Sequence, residues 1–327
     1  MDRRVRFVTV AGPSIGRGHL ARAVSLTEAT WPAGTDLQLE VDGSTELTER
    51  ERRRIDATGT AVVEPGSDPG DGTVVVIDVP DPDAVVARFE APLTAVFDDR
   101  ESFRGNAALV IQPSLPTWSG RARADRVLAG FDVVPVAAAI RRRRAGGLAA
   151  VDVAGRHPKV LVCFGGSDPD RVTERVVPPV ASALHGKADL DVVIGASYSG
   201  STGGWPVTPT RDPDDLVERL ARADLVVGGA GTMKFELACL GRPMLLLAVA
   251  DDQRPVGPAF AATGAARYLG DGRTLDPAVV ATAVVALLTD DSARERLSMA
   301  ASSVVDGAGA DRIADAVAAI PQAAGSS

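Results

Sequence analysis

The sequence predicts an α/β chain built from two doubly wound parallel sheets, and three observations carry that expectation. Short runs of Val, Ile and Leu alternate with amphipathic stretches along the whole chain. The runs are apolar throughout rather than in alternation, as strands buried on both faces are. The pattern lapses in a charged, Gly/Ala-rich stretch, RRRRAGGLAAVDVAGRHP (141–158), and restarts with KVLVCFGGSDP. A chain of 327 residues also exceeds what one hydrophobic core usually organises.

Strands are expected at Arg6–Val10, Asp36–Val41, Val74–Ile77, Leu93–Phe97, Ala108–Ile111 and Arg126–Ala129 in the first half. In the second half they are expected at Lys159–Phe164, Asp191–Ile194, Leu225–Val227 and Met244–Ala248. The lapse at 141–158 reads as a linker, which sets domains of 1–148 and 149–307, with 308–327 as a closing helix and a frayed tail. The apolar share of 45% is ample for burial, and with aromatics at only 4% it comes mostly from Val-rich strands and Ala-rich helices.

The net charge of −8 argues against non-specific nucleic-acid binding, which needs a basic face. The basic run Arg141 to Arg144 is a local exception and reads as a solvated helix end or linker. Cys163 and Cys239 sit in apolar surroundings without metal-ligand spacing, as buried thiols of a reducing compartment do. The start of the chain has no secretory pattern, and no apolar run approaches the ~18 residues needed to span a bilayer. The expectation is a cytoplasmic protein with no metal and no cofactor; nothing in the pattern sets an oligomeric state.

Three glycine loops each follow an apolar run and precede a helix. The first, AGPSIGRGHLARA (11–23), holds Gly16 and Gly18 directly before His19, one of only three histidines. The second holds Gly166, Ser167 and Asp168; the third holds Gly231 and Thr232. Glycines let a backbone approach a ligand closely, and amides at a helix start favour an anion. None of the three is a P-loop and none matches G-x-G-x-x-G cleanly, so a dinucleotide cofactor is the lesser reading. Glu236 lies one turn after Thr232, on the same helix face, where a carboxylate suits neutral hydroxyls such as a ribose diol.

His19 falls in the first turn of a helix, where the positive helix end disfavours imidazolium and leaves a neutral ring able to take a proton. Asp78, Asp98 and Asp99 each follow a strand at its carboxyl end, as do Asp251, Asp252 and Gln253. These acids either touch substrate or the histidine, or cap helices; their spacing leaves both readings open.

The motifs GRGHLAR, VCFGGSDP, ADLVVGGAGTMKFELACLGRP, ADDQ and VDGAGADRI occur in this order over most of the chain. Together they resemble the UDP-sugar hydrolases of the pseudaminic acid pathway, which are similar in turn to the inverting GT-B glycosyltransferases. The resemblance implies a GT-B fold, two Rossmann-like domains facing a central cleft, with the acceptor side in the N-terminal half and UDP in the C-terminal half. By it, His19 matches the catalytic histidine and Glu236 the acid on the ribose hydroxyls. Gly231 and Thr232 match the loop at the diphosphate, Gly166 and Ser167 the second glycine loop, and Gln253 the amide reaching the donor sugar. It also implies that the closing helix packs back on the N-terminal domain.

The sequence departs from the hydrolases at Ala230, which breaks a Gly-Gly-Ser/Thr pattern, at DVPDPD (78–83), and at RESFRGN after Asp99. The acceptor half diverges more than the nucleotide half. The expected function is therefore an inverting glycosyltransferase. Its partners are a UDP-sugar donor and a small-molecule acceptor, whose hydroxyl His19 activates. Asp98 and Asp99 are further catalytic candidates; Gly16, Gly18 and Asp252 join the substrate-contacting set. A UDP-sugar hydrolase, with water as the nucleophile, is the alternative; a non-catalytic nucleotide-sugar binder is the second.

Overall fold

Thirteen strands form among the described residues, all in parallel pairs and divided between two sheets. A computed structural model describes residues 3–12, 15–43, 46–90, 93–147, 156–166, 168 and 170–321. The chain divides into two units, Met1–Ala138 with Gly307–Ser327, and Ala139–Asp306. The division falls ahead of the 148/149 boundary expected from composition. Residues 148–155 of the expected linker lie outside the described set, as do Ser167 and the end of the tail from 322.

The first unit contains β1 (Arg4–Val10), α1 (Gly18–Thr27), β2 (Asp36–Asp42), α2 (Glu49–Asp56), β3 (Ala61–Val63), β4 (Val74–Asp78), α3 (Pro82–Val86), β5 (Thr94–Phe97), β6 (Asn106–Gln112) and β7 (Arg123–Ala129). The sheet order is β3-β2-β1-β4-β5-β6-β7. Successive side chains of a strand point to opposite faces, and both faces here are covered. Val5, Phe7, Leu39 and Val76 pack with Leu20 and Val24 of α1 and with Ile313 and Val317 of the closing helix, Gly309–Ala318. Val8, Ile77, Val96 and Val110 form a second cluster with Phe103.

The closing helix is tied into this unit by its backbone. Arg3 donates to the carbonyls of Val317 and Ile320, and Arg312 donates to that of Asp132. A Cβ at Gly309 would meet the Val134 carbonyl oxygen at 2.2 Å, so only glycine lets the helix start this close.

The second unit has β8 (Lys159–Cys163), β9 (Asp189–Ile194), β10 (Thr210–Arg211), β11 (Leu225–Gly229), β12 (Met244–Ala248) and β13 (Arg267–Asp271), in the order β10-β9-β8-β11-β12-β13. Its helices are α4 (Ala138–Ala145), α5 (Val172–Leu184), α6 (Leu216–Arg222), α7 (Met233–Cys239), α8 (Gln253–Ala261), α9 (Pro277–Leu288) and α10 (Asp291–Val304). Val162, Val227 and Leu247 pack with Val176 of α5 and Val284 of α9.

The arginine run is helical, not a linker. Arg144 donates to the carbonyls of Cys239, Ser302 and Val305, at the C-terminal ends of α7 and α10, where a cation suits the helix dipole. Arg143 lies 3.5 Å from Glu218. No helix among the described residues is long and apolar enough to cross a membrane.

In each sheet the strand order reverses once, between β1 and β4 and between β8 and β11. Ligands of open α/β sheets bind outside the carboxyl ends of the strands at such reversals. The first and third glycine loops leave β1 and β11, at these two places.

Candidate functional site

In the first unit, β1 ends at Val10 and the chain turns into α1 through a small closed loop. Gly12 N–H donates to the Gly16 carbonyl (3.2 Å) and Gly16 N–H donates back to that of Gly12 (2.7 Å). Gly16 has φ +80°, which glycine adopts without strain. Pro13 and Ser14 lie outside the described residues. Gly18 then opens α1 and puts His19 in its first turn. Arg22 follows three residues later, on the same helix face.

Asp78 is the last residue of β4, the strand beside β1. Its position pairs with Thr9, whose hydroxyl donates to the Asp78 carbonyl (3.2 Å). Sheet register therefore fixes Asp78 under the start of α1. His19 Nδ1 is 2.6 Å from Asp78 Oδ1. Arg22 grips the same carboxylate in a two-point fork, Nε to Oδ2 at 2.9 Å and Nη2 to Oδ1 at 2.5 Å. Arg22 Nη2 also lies 2.6 Å from Asp99 Oδ2, and Asp99 Oδ1 accepts from the Ser114 hydroxyl at 2.6 Å. The guanidinium stacks 4.8 Å from the Phe97 ring centroid.

An ionised carboxylate only accepts, so the proton of a neutral His19 sits on Nδ1 and donates to Asp78. Arg22 Nη2, 3.2 Å from Nδ1, is then a neighbouring donor rather than a hydrogen-bond partner. The lone pair is left on Nε2 of a side chain that is 20% exposed. This is the arrangement of a general base with its orienting carboxylate.

His19, Asp78 and Asp99 place groups of metal-ligating type within 4.8 Å of one another. The Arg22 guanidinium already contacts all three. A divalent cation at that point would have to displace a buried charge held by two carboxylates, so the donor set fits a resident guanidinium better than a metal.

Burial works against the charge on Arg22, but Asp78 and then Asp99 outweigh it and raise its pKa. Burial likewise opposes ionisation of Asp99, yet the charge and hydrogen bond of Arg22, with Ser114, hold its pKa down to about 2 from 3.8. A carboxylate depressed in the folded state stabilises the fold above its ordinary pKa and loses that contribution as pH falls through the folded value. The window is therefore pH 4 down to about 2, and a shift of this size is worth about 2 kcal/mol. In urea titrations at pH 6 and pH 2, the wild type is expected to lose about 2 kcal/mol more than Asp99→Asn. Equal losses would show that Asp99 does not carry this acid sensitivity.

Asp98 corrects the expectation of a catalytic acid pair. Its Oδ1 accepts from the amides of Ser102 and Phe103 (2.8 and 3.1 Å), and its Oδ2 accepts from Trp118 Nε1 (2.9 Å). Both oxygens fasten the loops after β5 and β6, and Asp98 is buried. Asp99, the next residue, is the one that reaches Arg22. Arg22 and Ser114 were not anticipated. The three-residue spacing from His19 was the available signal for Arg22; nothing local marks Ser114.

In the second unit, the third loop follows β11. The Ala230 amide donates to the Leu247 carbonyl (2.8 Å), and α7 starts after Thr232. Gln253, at the start of α8, folds onto this loop. Its Oε1 accepts from the Val249 amide at 3.1 Å, and its Nε2 lies 3.2 Å from where a Gly231 Cβ would stand. Gly231 and Gln253 thus meet, with Thr232 next in the loop, and glycine at 231 makes room for the amide. Along α7, Met233 and Glu236 are partly exposed while the remaining residues are buried. Glu236 therefore shares the open face with Thr232. Asp252 is exposed at the N-cap position of α8 and makes no side-chain cap there.

The second loop leads to α5, whose first amides are engaged by Asp168. Asp168 Oδ1 accepts from the Val172 amide (3.0 Å), and Oδ2 accepts from the Thr173 amide (2.8 Å). The amides that open α5 are thus taken by the chain's own carboxylate and are not offered to a bound phosphate. Gly166 packs against a neighbouring turn, its carbonyl accepting from the Ser197 amide at 3.1 Å. Ser167 lies outside the described residues.

No protein-family model and no curated protein matches the chain. Among solved structures, MurG of Acinetobacter baumannii superposes with a TM-score of 0.64 at 15% identity, over 97% of this chain and 99% of that one. CalG4, the calicheamicin glycosyltransferase, superposes at 0.62 and 16% identity, over 98% of each chain. The glycosyltransferase VinC, in complex with dTDP, superposes at 0.55 and 14% identity, over 96% of this chain and 99% of that one. With its two parallel sheets of seven and six strands, the chain has the GT-B fold of these glycosyltransferases.

Proposed function

We propose that the chain is an inverting glycosyltransferase that takes a UDP-sugar donor. The observation that carries this reading is the His19–Asp78 pair, with Nδ1 committed to the carboxylate at 2.6 Å and Nε2 left as the basic atom. In the reaction His19 Nε2 accepts the proton of an acceptor hydroxyl. The acceptor oxygen forms a bond to the anomeric carbon as the bond from that carbon to the UDP oxygen breaks. A single displacement of this kind inverts the anomeric centre. Asp78, held by Arg22, stabilises the imidazolium that forms.

On the donor side, the Gly231–Thr232 loop receives the diphosphate, with Gln253 on the sugar and Glu236 on the ribose hydroxyls. The resemblance to UDP-sugar enzymes supports these assignments. So does the gathering of Gly231, Thr232 and Gln253 at one loop. The dTDP held by VinC shows that one protein of this fold takes a nucleoside diphosphate. The hydrolase alternative uses the same base on water; the divergent acceptor half favours transfer. A non-catalytic binder would have no use for an oriented base.

The test is a mass-spectrometric screen of UDP-sugars and dTDP-sugars, with and without candidate hydroxyl acceptors. Expected is UDP release that requires an acceptor, with a new glycoside of inverted configuration. Free sugar formed at the same rate without acceptor would establish hydrolysis instead. Absence of nucleotide release from every donor, despite binding, would leave only the binder.

A further inference from the structure

Lys234 is the second residue of α7, and neither the sequence motifs nor the proposed reaction gives it a role. It is 1% exposed, an unusual place for an ammonium. Its Nζ donates to the carbonyls of Ala230 (2.9 Å) and Gly231 (3.1 Å), and sits 3.8 Å from the centroid of the Phe235 ring and 5.9 Å from that of Phe260. The two aromatic rings would be served as well by methionine. The two carbonyls would not, because they need a donor.

A trans peptide is planar, with its C=O and N–H pointing in opposite directions. The carbonyl of Ala230 shares a peptide with the amide of Gly231, and the carbonyl of Gly231 shares one with the amide of Thr232. By drawing both carbonyls to one buried point, Lys234 turns both amides the other way, toward the partly exposed side of the loop. Two successive amides aimed together form an anion-binding concavity. A cation on the carbonyl side polarises both peptides and strengthens their N–H groups as donors. Gln253 Nε2, next to Gly231, adds a third donor at the loop.

We propose that Lys234 is a positioning residue of the donor loop. Its buried ammonium, bonded to the Ala230 and Gly231 carbonyls, fixes the Gly231 and Thr232 amides for the diphosphate of a nucleotide donor. This rests on the donor assignment made above for the loop. Lys234 itself touches no substrate, so it acts on affinity for the diphosphate and not on recognition of the nucleoside.

The experiment titrates UDP and uridine separately into the wild type and Lys234→Met, with circular dichroism confirming the fold. Expected is a ten- to hundredfold weaker UDP affinity in the variant, with uridine affinity unchanged. A merely structural role would weaken both ligands together. That outcome, or unchanged UDP affinity, overturns the proposal. A second measurement needs no variant. In amide-resolved NMR of the wild type, the Gly231 and Thr232 amide resonances are expected to move on adding UDP and to stay in place with uridine. Stationary amides with bound UDP overturn the proposal even if Lys234→Met does not fold. A wild type that binds no UDP overturns the donor assignment, and this proposal with it. That result is distinct from UDP binding that ignores the substitution.

Discussion

His19→Ala is expected to lower turnover by about 10²–10⁴-fold, the usual range for a general base, while UDP affinity stays within about twofold of the wild type. The split follows from placement. His19 belongs to the first unit, and the residues assigned to the nucleotide all belong to the second. Its ring is anchored from below by Asp78, so the variant loses the basic Nε2 without disturbing the sheet. Steady-state kinetics on the donor found in the screen, with calorimetry of UDP binding, measures both quantities. Turnover within threefold of wild type would remove His19 as the base, and an equal fall in UDP affinity would make it a nucleotide contact instead.

Arg22→Leu is expected to destabilise the protein by about 3–5 kcal/mol. The guanidinium is buried and contacts Asp78 and Asp99 together. Removing it leaves two carboxylates close to each other in a poorly hydrated place, with the Asp99–Ser114 hydrogen bond as partial compensation. Much of the loss is the penalty of those uncompensated charges rather than the worth of the contacts. Combining Arg22→Leu with Asp78→Asn and Asp99→Asn should therefore recover part of it. Urea midpoints of the wild type and the two variants decide the matter. A single variant within 1 kcal/mol of the wild type would show that solvent already screens the carboxylates.

The central strands were legible in the sequence because they are apolar on both faces, a pattern that little else produces. The strands that sequence reasoning passed over, β3, β10 and β13, all lie at sheet edges. Ala61–Val63 and Thr210–Arg211 are too short to form a run, and Arg267–Asp271 mixes charge with apolar residues because it is only partly covered. Pattern carries no such signal, since an edge strand is specified by its neighbour rather than by its own burial.

At the site, His19 stood out because histidine is rare in the chain and this one follows a glycine loop. Asp78 was visible as one of several acids at strand ends, but nothing ranked it above Asp98. Register puts Asp78 beside α1, because β4 pairs with β1, whereas Asp98 follows β5 and spends both oxygens on Ser102, Phe103 and Trp118. Arg22, marked only by its spacing from His19, was passed over for another reason. An arginine in an amphipathic helix looks like a solvated one, and only the carboxylates of Asp78, at the end of β4, and Asp99, in the loop after β5, mark it as a buried one. The same holds for the run Arg141 to Arg144, where Arg144 closes helix ends far along the chain.

The closing helix completes the core of the first unit, although the whole second unit separates it in sequence from residues 1–138. The second unit is thus an insertion within the first, entered after Ala138 and left at Asp306. Its sheet comes from one unbroken stretch of chain, so it can assemble while synthesis is still under way. The first unit cannot bury Phe7 and Leu20 against Ile313 and Val317 until Gly309–Ala318 has left the ribosome. The unit that holds His19 therefore becomes whole only after the second.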